Sequence, residues 1–131
     1  MNVNQYIVYI TFVKTKNHMV IDVITEKFHT KDKLTSVEYN LYINGVKSGY
    51  ISIDVSTNKN YVTVSHVMRK YRGRGFGKML YLTALENHKK ISTRYHRASR
   101  SAQYIWESLV KTYAFRTSFF EDTLTIYNRR K

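Results

Sequence analysis

The 131 residues contain no cysteine and no proline, and glycine is scarce, with five in all. Without cysteine the chain has no disulfide, no thiolate zinc site and no sulfur nucleophile, and this fits a reducing cytosol. No Gly/Ser-rich tract, internal repeat or low-complexity run marks a linker, so one domain over residues 1–131 is expected. No run reaches the roughly 18 apolar residues that a membrane helix needs. The opening Met1-Asn2-Val3-Asn4-Gln5 lacks the charged-then-apolar order of a secretion signal. The expectation is a soluble, cytoplasmic protein with no membrane partner. Acid is also in short supply, with nine Asp and Glu against 22 Lys and Arg, a net charge of +13.

What is present suffices for a fold. With 43% hydrophobic residues, a chain of this length buries roughly two-thirds of the surface that its unfolded form exposes. The charge is lopsided: residues 1–54 balance to +1 and residues 55–131 to +12, and all nine arginines lie in the second part. A field of that sign concentrates anions, which points to a phosphorylated cofactor or to nucleic acid; the alternative is a merely solubilising surface.

Tyr6 to Lys14 and His18 to Thr25 are β-branched and aromatic, the composition of strands. Glu26 to Ser36 is polar and is expected to be a loop or a short helix. Val37 to Ile43 and Ser48 to Val55 flank Asn44-Gly45, a strong hairpin signal. Tyr61 to Met68 is a strand that leads into Arg69-Lys70-Tyr71-Arg72-Gly73-Arg74-Gly75-Phe76-Gly77-Lys78. The spacing then predicts a helix over Phe76 to His88, with Phe76, Met79, Leu80, Leu82, Ala84 and Leu85 on its apolar face. Ile91 to Arg97 is ambiguous, with a short strand as one reading. Ile105, Trp106, Leu109, Val110 and Tyr113 mark a second helix, with Ser99 or Ser101 as its N-cap. Tyr113 to Phe120 and Thr123 to Asn128 form a closing hairpin around Glu121-Asp122. The fold class expected is α/β in the α+β sense: a mixed, mostly antiparallel sheet flanked by helices.

Three of the five glycines fall at positions 73, 75 and 77, between a strand and a helix. There they let the main chain turn tightly and bring successive N–H groups onto an anion, and the helix N-terminus adds its own. Arg69, Lys70, Arg72, Arg74 and Lys78 stand in a stretch with no acid between Asp54 and Glu86. Two phosphate-loop patterns do not fit. Gly77-Lys78 is followed by Met79 where the Walker pattern needs Ser or Thr, and Gly73, Gly75 and Gly77 have the wrong third spacing for a dinucleotide fingerprint.

Arg72-Gly73-Arg74-Gly75-Phe76-Gly77 resembles the R-x-x-G-x-G signature of the GNAT superfamily of N-acetyltransferases. The preceding strand, the following amphipathic helix and a later helix opening Ser99-x-x-Ala102 fall where that family has them. The tight motif covers about a dozen residues and the element order residues 37–128. The resemblance implies acetyl-CoA as cofactor, with its pyrophosphate on the main chain of Arg72, Gly73, Arg74, Gly75, Phe76 and Gly77, Lys78 at the helix start, and the pantetheine arm along Val67 and Met68. High Lys, Asn, Ile and Tyr usage in a compact chain suits a member from an AT-rich phage or small bacterial genome.

Amide formation from a thioester needs a neutral amine, donors for the developing oxyanion and a proton for the leaving sulfur. The family often carries a carboxylate on the strand before the loop, and Tyr61 to Met68 has none. His66 is the candidate base; its alternative is a core histidine sharing a face with Val62, Val64 and Met68. Where the family commonly has a tyrosine four residues after the alanine, this chain has Trp106, so Tyr104 is the candidate acid, with Tyr95 also nearby. The family's first strand is followed by two helices that shape the acceptor pocket, whereas residues 15–36 look strand-like and then polar. A missing lid suits a macromolecular acceptor, and the positive charge favours an acidic protein or an RNA-linked aminoacyl group. Two other readings stand beside the transferase: a basic module that binds nucleic acid through Arg94, Arg97, Arg100 and exposed tyrosines, and a GNAT-derived inhibitor without turnover.

Overall fold

A computed structural model describes residues 3–16 by their backbone and residues 19–131 in full. Eight strands form one sheet in the order β1-β2-β3-β4-β5-β6-β8-β7. Strands β1 (Val3–Lys16), β2 (Met19–Thr30), β3 (Lys33–Ile43), β4 (Val46–Asp54) and β5 (Tyr61–Val67) run antiparallel in sequence order. Helix α1 (Phe76–His88) crosses over to β6 (Lys90–Arg94), the one parallel neighbour. Helix α2 (Arg100–Thr112) leads to the final hairpin, β7 (Tyr113–Ser118) and β8 (Thr123–Arg130). No helix among the described residues is long and apolar enough to cross a membrane.

The mixed, mostly antiparallel sheet with helices is the architecture expected from the sequence. The Asn44-Gly45 turn has φ of +52° and +79°, the backbone that joins two strands without splaying them. Phe76 to His88 is helical throughout, as the spacing predicts. Its buried face is Phe76, Leu80, Tyr81, Thr83, Ala84 and Leu85, with Met79 and Leu82 only half-buried. The Ser99 hydroxyl caps α2 by accepting the Ala102 N–H at 3.2 Å.

Glu26 to Ser36 is neither loop nor helix. β2 runs on to Thr30, turns through Lys31 and Asp32 at φ of +51° and +63°, and returns as β3. Its polar composition hides the strand because β2 pairs on both sides, and two ladders of main-chain hydrogen bonds override local preference. Ile91 to Arg97 divides into the end of β6 and a turn of 3₁₀ helix over Tyr95–Arg97. His18, the expected start of the second strand, lies outside the described residues, and β2 begins at Met19.

The core lies between α1 and one face of the sheet. Ile21, Val23, Val37, Tyr39, Leu41, Ile43, Ile51 and Ile53 line that face, and Leu80, Ala84, Leu85, Trp106 and Leu109 come from the helices. Gly49 is required where β4 meets β5, since a Cβ there would stand 2.7 Å from the His66 carbonyl oxygen. On β5, Val64 and His66 are exposed, and so is Met68 just past the strand's end. This excludes the core reading of His66.

Candidate active site

The glycine loop starts as a closed turn and ends as an open one. Tyr71 N–H donates to the Met68 carbonyl at 2.9 Å and Arg72 N–H to that of Arg69 at 3.2 Å. The chain is then extended at Arg72 and turns through Gly73 and Gly75 at φ of +76° and +85°, a region that favours glycine. Gly75 is the N-cap of α1 and carries no side chain to cap it, and the first bond of the helix is Met79 N–H to the Gly75 carbonyl. The N–H groups of Gly73, Arg74, Gly75, Phe76, Gly77 and Lys78 therefore have no acceptor among the described residues. The free run starts one residue later than the sequence suggests, because Arg72 spends its own N–H inside the turn. Helix α2, where the Ser99 hydroxyl takes the Ala102 N–H, shows the contrast.

Side chains hold this bend in place. Arg72 Nε donates to the Val67 carbonyl at 2.9 Å and ties the loop to the strand. Tyr71 packs edge-on against Phe76, centroids 6.0 Å apart, with Lys70 5.0 Å and Arg74 5.9 Å from its ring. Phe76 is buried and anchors the helix start. Lys78 donates to the Ser108 hydroxyl at 2.7 Å and links α1 to α2. A cradle of free amides with guanidinium and ammonium groups around it fits a diphosphate.

The loop follows β5, and a cleft opens along that strand. β5 and β6 share a single register pair, Tyr61 with Ser92, where Ser92 N–H donates to the Asn60 carbonyl at 3.0 Å. Asn60 Nδ2 clamps the junction by donating to the Lys90 carbonyl at 3.0 Å. Beyond that pair the strands part, and the edge of β5 that faces β6 has no strand partner. The gap is a cavity of about 570 Å³ walled by Val62 to Ser65, Tyr81, Ala102 and Trp106, with Asp54, Arg94 and Arg97 also on its lining.

Two hydroxyls meet in its wall. Ser65 Oγ and Tyr81 Oη are 2.8 Å apart, and the Tyr81 ring stands edge-on to Trp106 at 5.4 Å. Burial pushes the Tyr81 phenol above its ordinary pKa, against the smaller pull of its hydrogen bonds with Ser65 and Trp106, so it keeps its proton. Trp106 is fully buried and also lines the cavity, so it both packs and forms the wall.

The two side chains singled out for catalysis line no part of this cavity. His66 is exposed beside Tyr50, ring centroids 6.2 Å apart. Tyr104 is 60% exposed on α2, where its hydroxyl accepts from Arg100 Nε at 3.4 Å. Residues that the sequence does not single out line the cavity instead. Asp54 reaches the cavity from the end of β4, and its Oδ1 accepts from Ser56 N–H at 2.9 Å and Ser56 Oγ at 2.6 Å. The hairpin register that sets Asp54 opposite Tyr61 was the signal available for it. For Tyr81 the signal was its place one residue after Leu80 on the buried side of α1.

No protein-family model and no curated protein matches the chain. Solved structures do. An N-acetyltransferase, PaiA, from Thermoplasma acidophilum, solved with coenzyme A, superimposes with a TM-score of 0.56 at 14% identity, over 75% of this chain and 62% of that one. The Escherichia coli ribosomal-protein-S18-alanine N-acetyltransferase gives 0.51 at 15% identity, over 70% and 66%. A Bacillus anthracis protein assigned as a streptothricin acetyltransferase, solved with acetyl coenzyme A, gives 0.50 at 14% identity, over 97% and 96%. The match thus spans less than two-thirds of the first two. These superpositions show a shared fold, and the mixed, mostly antiparallel sheet with two helices is consistent with the GNAT fold.

Proposed function

We propose that the protein is an acetyl-CoA-dependent N-acetyltransferase that moves an acetyl group to an amine of an acidic or macromolecular acceptor. One observation carries this reading: six free amides from Gly73 to Lys78 follow directly on β5, a strand that pairs with β6 at Tyr61 alone. In this reading the main chain of Gly73, Arg74, Gly75, Phe76, Gly77 and Lys78 holds the diphosphate, with the Arg72, Arg74 and Lys78 side chains supplying charge. Val67 and Met68 start the strand edge along which the pantetheine arm lies, and the thioester lies deeper, beside Val62 to Ser65. The E. coli neighbour, which acts on an alanine of a ribosomal protein, lends support to a macromolecular acceptor.

Acetyl-CoA supplies an activated acyl group, and the chain positions it. The acceptor nitrogen forms the C–N bond as the C–S bond breaks, the nitrogen loses a proton and the sulfur leaves as a thiol. The unpaired β5 edge offers main-chain N–H groups to the carbonyl oxygen as charge develops on it. The Ser65 and Tyr81 hydroxyls stand in the cavity wall, where they can donate to the sulfur. His66 and Tyr104, outside the cavity, have no part in these steps. Holding both reactants in one cleft provides much of the rate, because the thioester is already reactive.

Calorimetry with acetyl-CoA tests the reading. Saturable binding to the wild type, lost in Gly75→Glu and weakened in Lys78→Gln with melting temperatures retained, is the expected result. No binding at millimolar acetyl-CoA would remove the proposal.

A further inference from the structure

The end of the cavity furthest from the glycine loop carries charges of both signs. β5 runs from Tyr61 to the loop through Val67, so Tyr61 lies about 20 Å from the strand's loop end at roughly 3.3 Å per residue. Asp54, Arg94 and Arg97 all line the cavity, and β5 lies between β4, which ends in Asp54, and β6, which ends in Arg94. Tyr61 stands between them: it is the register partner of Asp54, and its ring centroid is 5.7 Å from the Arg94 guanidinium carbon.

These opposite charges do not satisfy each other. The ion pairs among the described residues are Lys47 with Glu38, Lys59 with Glu121 and His96 with Asp122, and none includes Asp54, Arg94 or Arg97. The Asp54 Oδ1 takes two hydrogen bonds from Ser56, and its other oxygen has no partner among the described residues. A carboxylate and two guanidiniums kept apart across one cavity, in a chain where acids are few, match a ligand that carries both charges.

We infer that the acceptor bears a carboxylate close to its amine, the carboxylate seated on Arg94 and Arg97 and the ammonium drawn toward Asp54. The inference rests on the acetyltransferase reading and narrows its acceptor to an amino acid or to a chain terminus with an acidic residue beside the amine. Arg94 and Arg97 supply the planar forked donors that suit a carboxylate. Asp54 offsets their repulsion of the cationic amine, which a field of +13 would otherwise exclude.

Matched acceptors test it. Glycine and glycinamide differ in the carboxylate alone, and Asp-Ala-Ala amide and Asn-Ala-Ala amide differ in the acidic side chain alone. Acetylation is followed by release of free thiol, and binding by calorimetry of the CoA-saturated protein. Preference for the carboxylate member of one pair is expected, and which pair shows it separates the free amino acid from the peptide terminus. Glycinamide has the more readily deprotonated amine, so a preference for glycine runs against intrinsic reactivity. Arg94→Gln with Arg97→Gln should cut kcat/KM for the preferred acceptor by about tenfold to a hundredfold, the loss of charge-assisted hydrogen bonds. Affinity for acetyl-CoA should not change.

Equal use of both members of each pair, or neither use nor binding of any of them, overturns the inference. So does loss of acetyl-CoA affinity in the double variant, which would assign the arginines to the cofactor's phosphates. Failure of the wild type to bind acetyl-CoA at all would instead remove the acetyltransferase reading on which this one rests.

Discussion

Arg72 turns its guanidinium back onto the strand before it, and its Nε donates to the Val67 carbonyl at 2.9 Å. Arg72 is thus a brace for the bend as well as a charge beside it. Its N–H closes the 3₁₀ turn on Arg69, so both its main chain and its side chain fix where the free amides begin.

Replacing that brace should loosen the cradle without unfolding the protein, since Arg72 is exposed. Arg72→Gln is expected to weaken acetyl-CoA binding about tenfold or more, the scale of a hydrogen bond to a charged group. Calorimetry on wild type and variant checks this, and an unchanged dissociation constant would show that the brace is dispensable.

Gly49 is the position least able to accept a side chain. A Cβ would sit 2.7 Å from the His66 carbonyl oxygen and 3.3 Å from the Val67 Cα, both main-chain atoms. Gly49→Ala should cost about 2 kcal/mol, the usual range for overpacking. The shift of the urea midpoint measures it, and a shift below about 0.5 kcal/mol, the scale of neutral surface changes, would contradict the close approach of β4 and β5.

His88 gives the fold a pH dependence. Its Nε2 lies 2.8 Å from the Tyr39 hydroxyl. Burial pushes the tyrosine's pKa up, so the phenol keeps its proton and donates to a neutral imidazole. Burial, and then the nearby Lys27 cation, push the His88 pKa below its ordinary value of 6.5. The unfolded chain therefore takes up its proton first as pH falls. The stability from neutral His88 is complete above pH 6.5 and declines as pH drops below it toward the depressed folded value. Unfolding of wild type and His88→Gln across pH 7.5 to 5 should show a shallower decline in the variant, and parallel curves would rule out this origin.

Tyr81 and Ser65 test the chemistry separately from binding. Tyr81→Phe removes the hydroxyl partner of Ser65 and keeps the ring against Trp106. Turnover is expected to fall about tenfold, the loss of one donor that acts late in the reaction, with the acetyl-CoA dissociation constant nearly unchanged. Equal turnover in variant and wild type would take the hydroxyl pair out of the mechanism.

Local signals made part of this molecule legible. Asn44-Gly45 announced its hairpin because few other residue pairs accept positive φ twice in succession. Phe76 to His88 announced its helix through periodicity, and Ser99 its cap through the hydroxyl that α2 needs. The hairpin over Lys31 and Asp32 gave no such notice. Its turn uses positive φ without glycine, and its strands are polar because pairing on both sides holds them. The exposure of His66 was hidden for a related reason: alternation along a strand reveals two faces but not which of them a helix will cover.

The sequence by itself determined the loop, since glycines at 73, 75 and 77 among cations permit a bend that few other residues can make and favour an anion once it is made. The cleft was decided by the tertiary structure. Asp54, Tyr61, Tyr81, Arg94, Arg97 and Trp106 come from six elements of the chain, and they share a cavity because β5 and β6 meet at one residue pair and then diverge. Spacing along a chain records which residues can follow one another in a helix or strand. It does not record where two strands part, which depends on how the whole sheet twists and on which helix fills the opening.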